Sequence, residues 1–85
     1  METFTYQITD ENGIHARPAG IFVQKAKESG CTVTIKFGEK SADATRIFSV
    51  MGLAVKQGDT ITVEVSGNGE AEAARQLHEF LQENL

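Results

Sequence analysis

Apolar and polar residues alternate at Phe4, Tyr6 and Ile8 against Thr5 and Gln7, the pattern of a half-buried strand over about residues 2–8 that ends at the turn residues Asp10 to Gly13. Ala16, Ala19, Phe22, Val23 and Ala26 then recur at helical spacing, with Gln24, Lys25 and Lys27 on the other side and Gly30 as a stop. Val33, Ile35 and Phe37 alternate with Thr32, Thr34 and Lys36, and the turn Gly38-Glu39-Lys40 leads into a weaker strand over residues 40–43, which makes a hairpin. Ile47 to Leu53 is a short apolar segment of helical type interrupted by Gly52. Ile61, Val63 and Val65 alternate cleanly with Thr60, Thr62, Glu64 and Ser66. After Gly67-Asn68-Gly69 a last helix carries the stripe Ala73, Ala74, Leu77, Phe80 and Leu81, with Glu70 and Glu72 suited to its positive N-terminal end.

The predicted order is β-α-β-β-α-β-α. Strands with one apolar face each call for an α+β fold, an antiparallel sheet with helices on one side and water on the other. No repeat or linker breaks the chain, so residues 1–85 are expected to form a single domain. The segment Ile47 to Leu53 is too short to bury all its large side chains. With Val50 and Leu53 facing inward, Ile47, Phe48 or Met51 is left partly exposed, either as a docking patch or as the cap of a small core.

Composition narrows the function. Twelve acidic and eight basic side chains give a net charge of −4, and the basic ones are scattered, which argues against nucleic acid as a partner. Cys31 is the only cysteine, so no internal disulfide can form. The apolar runs are too short to cross a bilayer, and no signal-peptide pattern opens the sequence, so a cytoplasmic location without membrane insertion is the expectation.

The candidate chemistry lies in Asn12-Gly13-Ile14-His15-Ala16-Arg17-Pro18. Gly13 permits a tight turn, and Pro18 suits the first turn of a helix, where its missing donor costs nothing. A helix starting near His15 or Ala16 leaves the amides of Ala16 and Arg17 without intrahelical partners, pointing outward with the positive end of the macrodipole. A phosphate suits that spot. The same positive end disfavours an imidazolium, so His15 is expected to offer a free ring nitrogen able to attack phosphorus, while the planar fork of Arg17 binds the resulting dianion. A cap histidine beside a solvated arginine fits the same local residues, and both readings stand at this point.

Gly13-Ile14-His15-Ala16-Arg17-Pro18-Ala19, together with Phe48-Ser49-Val50-Met51-Gly52-Leu53, resembles the histidine-containing phosphocarrier (HPr) family of the sugar phosphotransferase system, over essentially all 85 residues. The resemblance implies an open-faced β-sandwich of four antiparallel strands with three helices on one face. It implies a phosphocarrier, not an enzyme, that takes a phosphoryl group from enzyme I on Nδ1 of His15 and gives it to IIA domains of sugar permeases. Arg17 matches the family's phosphate-stabilising arginine, and Asn12 a small polar residue near the site. Gly20, Ile47, Phe48 and Met51 match partner-docking positions. No cofactor or metal is called for, and a monomer is the expectation.

One position departs from the family. Where Gram-positive relatives have a regulatory phosphorylated serine, this chain has Arg46, so that modification is excluded there; Thr45 and Ser49 flank it without a recognisable kinase pattern. A regulatory adaptor or a specialised relay outside sugar uptake remains the alternative. A metal module built on His15 and His78 lacks clustered ligand spacing, and His78 reads as an ordinary surface residue.

Overall fold

The computed structural model describes residues Met1–Leu85. Its elements are β1 (Glu2–Gln7), α1 (Ala16–Ser29), β2 (Thr32–Phe37), β3 (Lys40–Asp43), α2 (Ile47–Met51), β4 (Thr60–Ser66) and α3 (Glu70–Asn84), the predicted order. The four strands form one antiparallel sheet in the order β1-β4-β2-β3, so β4 is central and β1 and β3 are edges.

The two-residue period of β4 decides which side is wet. Ile61, Val63 and Val65 are fully buried against the helices, while Thr62 and Glu64 point to the open face. The register repeats this choice across the sheet, setting Phe4 beside Val63 and Val63 beside Ile35. On the open face, Lys36 reaches Glu64 at 3.3 Å across the β2–β4 pair. Strand β1 stops one residue short of the sequence expectation, because the Ile8 amide bonds to Asp59 O outside the ladder.

Helices α1 and α3 supply Ala19, Phe22, Val23, Ala26, Ala73, Ala74, Leu77, Phe80 and Leu81 to a core of 22 buried residues that includes no polar side chain. Each large aliphatic group among these contributes roughly 1.5–3 kcal/mol by leaving water. The space left between Ile14, Ala19, Ile35, Val50, Ile61 and Leu81 is only about 10 Å³ and is lined by apolar side chains alone, so it offers a water no partner. Val50 thus seats α2 on the same face of the sheet as the longer helices, in agreement with the open-faced sandwich expected from the sequence. Helix α2 ends at Met51, where Gly52 caps it.

His78 is not the ordinary surface residue that its sequence position suggests. Its ring stacks on Phe4, with centroids 4.6 Å apart, and meets the Tyr6 ring edge-on at 6.2 Å, so it shields the apolar side of edge strand β1.

Candidate functional site

The turn from β1 into α1 is built around a close backbone approach. Gly13 has φ +65°, and its amide bonds to Asp10 O at 2.9 Å while the Ile14 amide bonds to Val55 O at 3.2 Å. A Cβ on Gly13 would lie 2.3 Å from Val55 O and 2.8 Å from Lys56 Cα. No side chain fits there. The turn is tied down a second time: the main-chain oxygen of Leu85 accepts the amides of Thr9 and Asp10, at 2.6 and 2.9 Å.

These anchors deliver His15 to the N-cap of α1. Its backbone is extended and its carbonyl accepts the Ala19 amide, so the main chain caps the helix without help from the imidazole, which makes no capping bond. Ala16 and Arg17 occupy the first two helical positions, where their amides have no intrahelical partner, and Pro18 fills the third with no donor to satisfy. No acidic residue lies in this first turn, whereas α3 carries Glu70 and Glu72 in its own. The open positive end of α1 is therefore available to an anion.

His15, Arg17, Pro18, Asp10, Ile21 and Asn84 line an open hollow of about 120 Å³. The imidazole is roughly a third exposed, with side-chain accessibility of 36%. Arg17 is exposed and takes part in none of the protein's ion pairs, in contrast to Arg75, whose fork is held by Glu72 and Glu79. The larger hollow, about 220 Å³ between β1 and α3, contains that occupied Arg75 and the stacked His78, and no nucleophile with a free anion partner. Size and chemistry point to different places here, and chemistry makes the hollow at His15 the candidate site. The two histidines line different hollows.

Sequence reasoning missed Asp10 as part of this site. Its Oδ2 lies 3.5 Å from Nε2 of His15, and its Oδ1 accepts the Asn12 amide at 2.8 Å. The hydrogen bond from Asn12, with a further contribution from His15, holds the Asp10 carboxyl below its ordinary range, so it is ionised near neutral pH. The imidazole thus faces a carboxylate as well as the positive end of the helix. Asn12 contributes its amide to the turn; its side chain is exposed and is not part of the hollow's lining.

Beside the hollow lies an apolar surface. Phe48 is 86% exposed, Ile21 45% and Met51 37%, with Ile47 half-buried, while Val50 and Leu53 are buried as expected. Gly20 joins the two helices at this surface, because a Cβ there would touch Ile47 Cδ1 at 3.6 Å. Ile21 was also missed, although it stands off the buried stripe of α1 and is in that sense visible in the sequence. Arg46 is exposed at the start of α2. Next to it, the Thr45 hydroxyl donates to Asp43 Oδ1 at 2.7 Å.

The family model described as "PTS HPr component phosphorylation site" matches residues 2–83. A phosphocarrier protein HPr from Lysinibacillus sphaericus is 40% identical over 83 residues, covering 98% of this chain and 94% of the relative. Among solved structures, the histidine-containing phosphocarrier protein of Mycoplasma superposes with a TM-score of 0.93 at 32% identity, covering 96% of this chain and 93% of the other. The catabolite repression protein Crh of Bacillus subtilis, seen as a swapped dimer, gives a TM-score of 0.78 at 32% identity, with coverage of 94% and 92%.

Proposed function

The chain belongs to the HPr family of the phosphotransferase system, and from that premise we propose that it accepts a phosphoryl group on His15 from phosphorylated enzyme I and passes it to IIA domains of sugar permeases. The observation that carries this reading is a partly exposed imidazole at the open positive end of α1, beside an arginine without an ionic partner. In this reading His15 is nucleophile in one half-reaction and leaving group in the next. Arg17 and the amides of Ala16 and Arg17 bind the phosphoryl oxygens, with Asn12 at the rim. Gly20, Ile47, Phe48 and Met51, joined by Ile21, form the docking surface, and the positive charge of Arg46 favours an acidic partner face.

The shallowness of the hollow serves a relay. A deep site with many donors would hold the phosphoryl group too well to release it, whereas a few groups on an open surface allow transfer in both directions. The reading includes a monomeric protein working in the cytoplasm, without nucleic-acid partners. No helix is long and apolar enough to cross a membrane.

A second reading, a regulatory adaptor of the Crh kind, is supported by the likeness to that protein. Incubation with enzyme I and phosphoenolpyruvate, followed by intact mass before and after mild acid, separates the two. The carrier gains one acid-labile phosphoryl group and His15→Ala gains none; a phosphoryl group on the alanine variant, or none on the unaltered protein, refutes the assignment.

A further inference from the structure

Asp10 is held more firmly than a turn residue needs to be. Its amide bonds to Leu85 O, its carbonyl accepts the Gly13 amide, and one carboxylate oxygen is fixed by the Asn12 amide. With Oδ1 so engaged, Oδ2 faces Nε2 of His15 at 3.5 Å. An asparagine would make the same turn equally well, because only one side-chain oxygen takes part in it. The second oxygen is spare, and it is the one aimed at the ring.

We propose that Asp10 is a positioning residue that accepts the Nε2–H of His15 and so keeps the lone pair on Nδ1, the atom that receives the phosphoryl group. This rests on the phosphocarrier reading above. A neutral imidazole has one N–H and one lone pair, so fixing the hydrogen on Nε2 assigns the nucleophile. Nδ1 attacks phosphorus, the N–P bond forms as the donor's bond to phosphorus breaks, and the donor departs with that electron pair. The ring keeps its Nε2–H and acquires a positive charge, which the Asp10 carboxylate faces. In the onward step the acceptor's nucleophile attacks phosphorus, and the N–P electron pair returns to Nδ1. The ring neither gains nor loses a proton over the cycle. Asp10 thus steadies the cationic ring while Arg17 and the helix amides hold the phosphoryl oxygens. The 3.5 Å separation is long for a hydrogen bond and typical of a resting site that tightens when charge develops.

The test is Asp10→Asn, which retains an oxygen for the Asn12 amide and replaces the ring-facing oxygen by an N–H donor. The His15 tautomer is read from its two ring ¹⁵N shifts in alkaline buffer, and phosphoryl transfer from enzyme I is timed on the same samples. The unaltered protein should show the Nε2–H form. In Asp10→Asn the population should move toward Nδ1–H and transfer should slow about tenfold, the lower end of the loss expected for a carboxylate orienting a histidine. An unmoved Asn12 amide resonance certifies the turn; if Asp10→Asn fails to fold, Asp10→Ser supplies the same acceptor. An unchanged tautomer ratio overturns the proposal, and so does an unchanged rate in a protein that is phosphorylated. The tautomer needs no phosphoryl donor, so a protein that takes up no phosphoryl group refutes the carrier reading separately and leaves the ring geometry decided by the shifts alone.

Discussion

Replacing Gly13 by alanine should be far more damaging than the same change at another left-handed glycine, and the difference measures what holds the histidine loop. At Gly13 the backbone has φ +65°, which costs an L-residue roughly 1–2 kcal/mol. The added Cβ would sit 2.3 Å from Val55 O, so the loop must lift and the Ile14–Val55 hydrogen bond must stretch. Overpacking of this kind costs about 1–3 kcal/mol and a weakened hydrogen bond about 0.5–1.5 kcal/mol more, against a gain of about 0.4–1 kcal/mol from a stiffer unfolded chain. The net loss runs from about 1.5 to about 6 kcal/mol; at its centre of about 4 kcal/mol a domain of this size loses roughly 15–30 °C in Tm. Gly38, in the β2–β3 turn, has φ +60° and nothing within 4 Å of an added Cβ. It incurs only the conformational strain, about 1 kcal/mol and a fall in Tm of under roughly 8 °C. Thermal unfolding followed by circular dichroism on both variants gives the comparison. Equal losses would refute the claim that contact with Val55 and Lys56 positions the loop.

Three further outcomes are expected. Ala54 is the one residue other than glycine with positive φ, at 56°, so Ala54→Gly should raise stability by about 0.5–1 kcal/mol once its greater unfolded-state entropy is counted; an unchanged or lower denaturant midpoint would contradict this. Phe48→Asp should leave the unfolding temperature nearly unchanged, because the ring is 86% exposed, and should slow transfer from enzyme I; unimpaired transfer would remove Phe48 from the docking surface. The Thr45 hydroxyl and then its amide hold the Asp43 carboxyl below its ordinary value. A folded value below the unfolded one stabilises the protein above the unfolded value, and that contribution disappears as pH falls through the folded one. Thr45→Val should therefore move the Asp43 midpoint upward toward the ordinary range, as followed by carboxyl ¹³C shifts, and a fixed midpoint would show that the hydroxyl is not the cause.

The parts of this molecule that the sequence displays are those in which one element answers to its own period. Ile61, Val63 and Val65 declare the buried face of β4, and the stripe from Ala19 to Ala26 declares that of α1, although Ala16, counted with it in the sequence, is exposed at the first helical position. Strand β3 has only Ala42 buried, and its existence followed from the turn before it. Strand order was not legible, because the pairing of β1 with β4 depends on residues more than fifty positions apart. His15 and Arg17 were visible because helix-end chemistry is local. Asp10 was not, because its approach to the ring depends on the geometry of a whole turn, and His78 was misread because its partner Phe4 lies on another element.

The bonds from Thr9 and Asp10 to Leu85 carry a consequence for the order of assembly. A nascent chain emerging from the ribosome has β1 early, but that strand has no neighbour until β4 follows, and the turn before His15 lacks its last tether until residue 85 is added. Contacts so distant along the chain form late, after local helices and the β2–β3 hairpin. The turn that carries His15 is therefore fully tethered only once both β4 and Leu85 are in place.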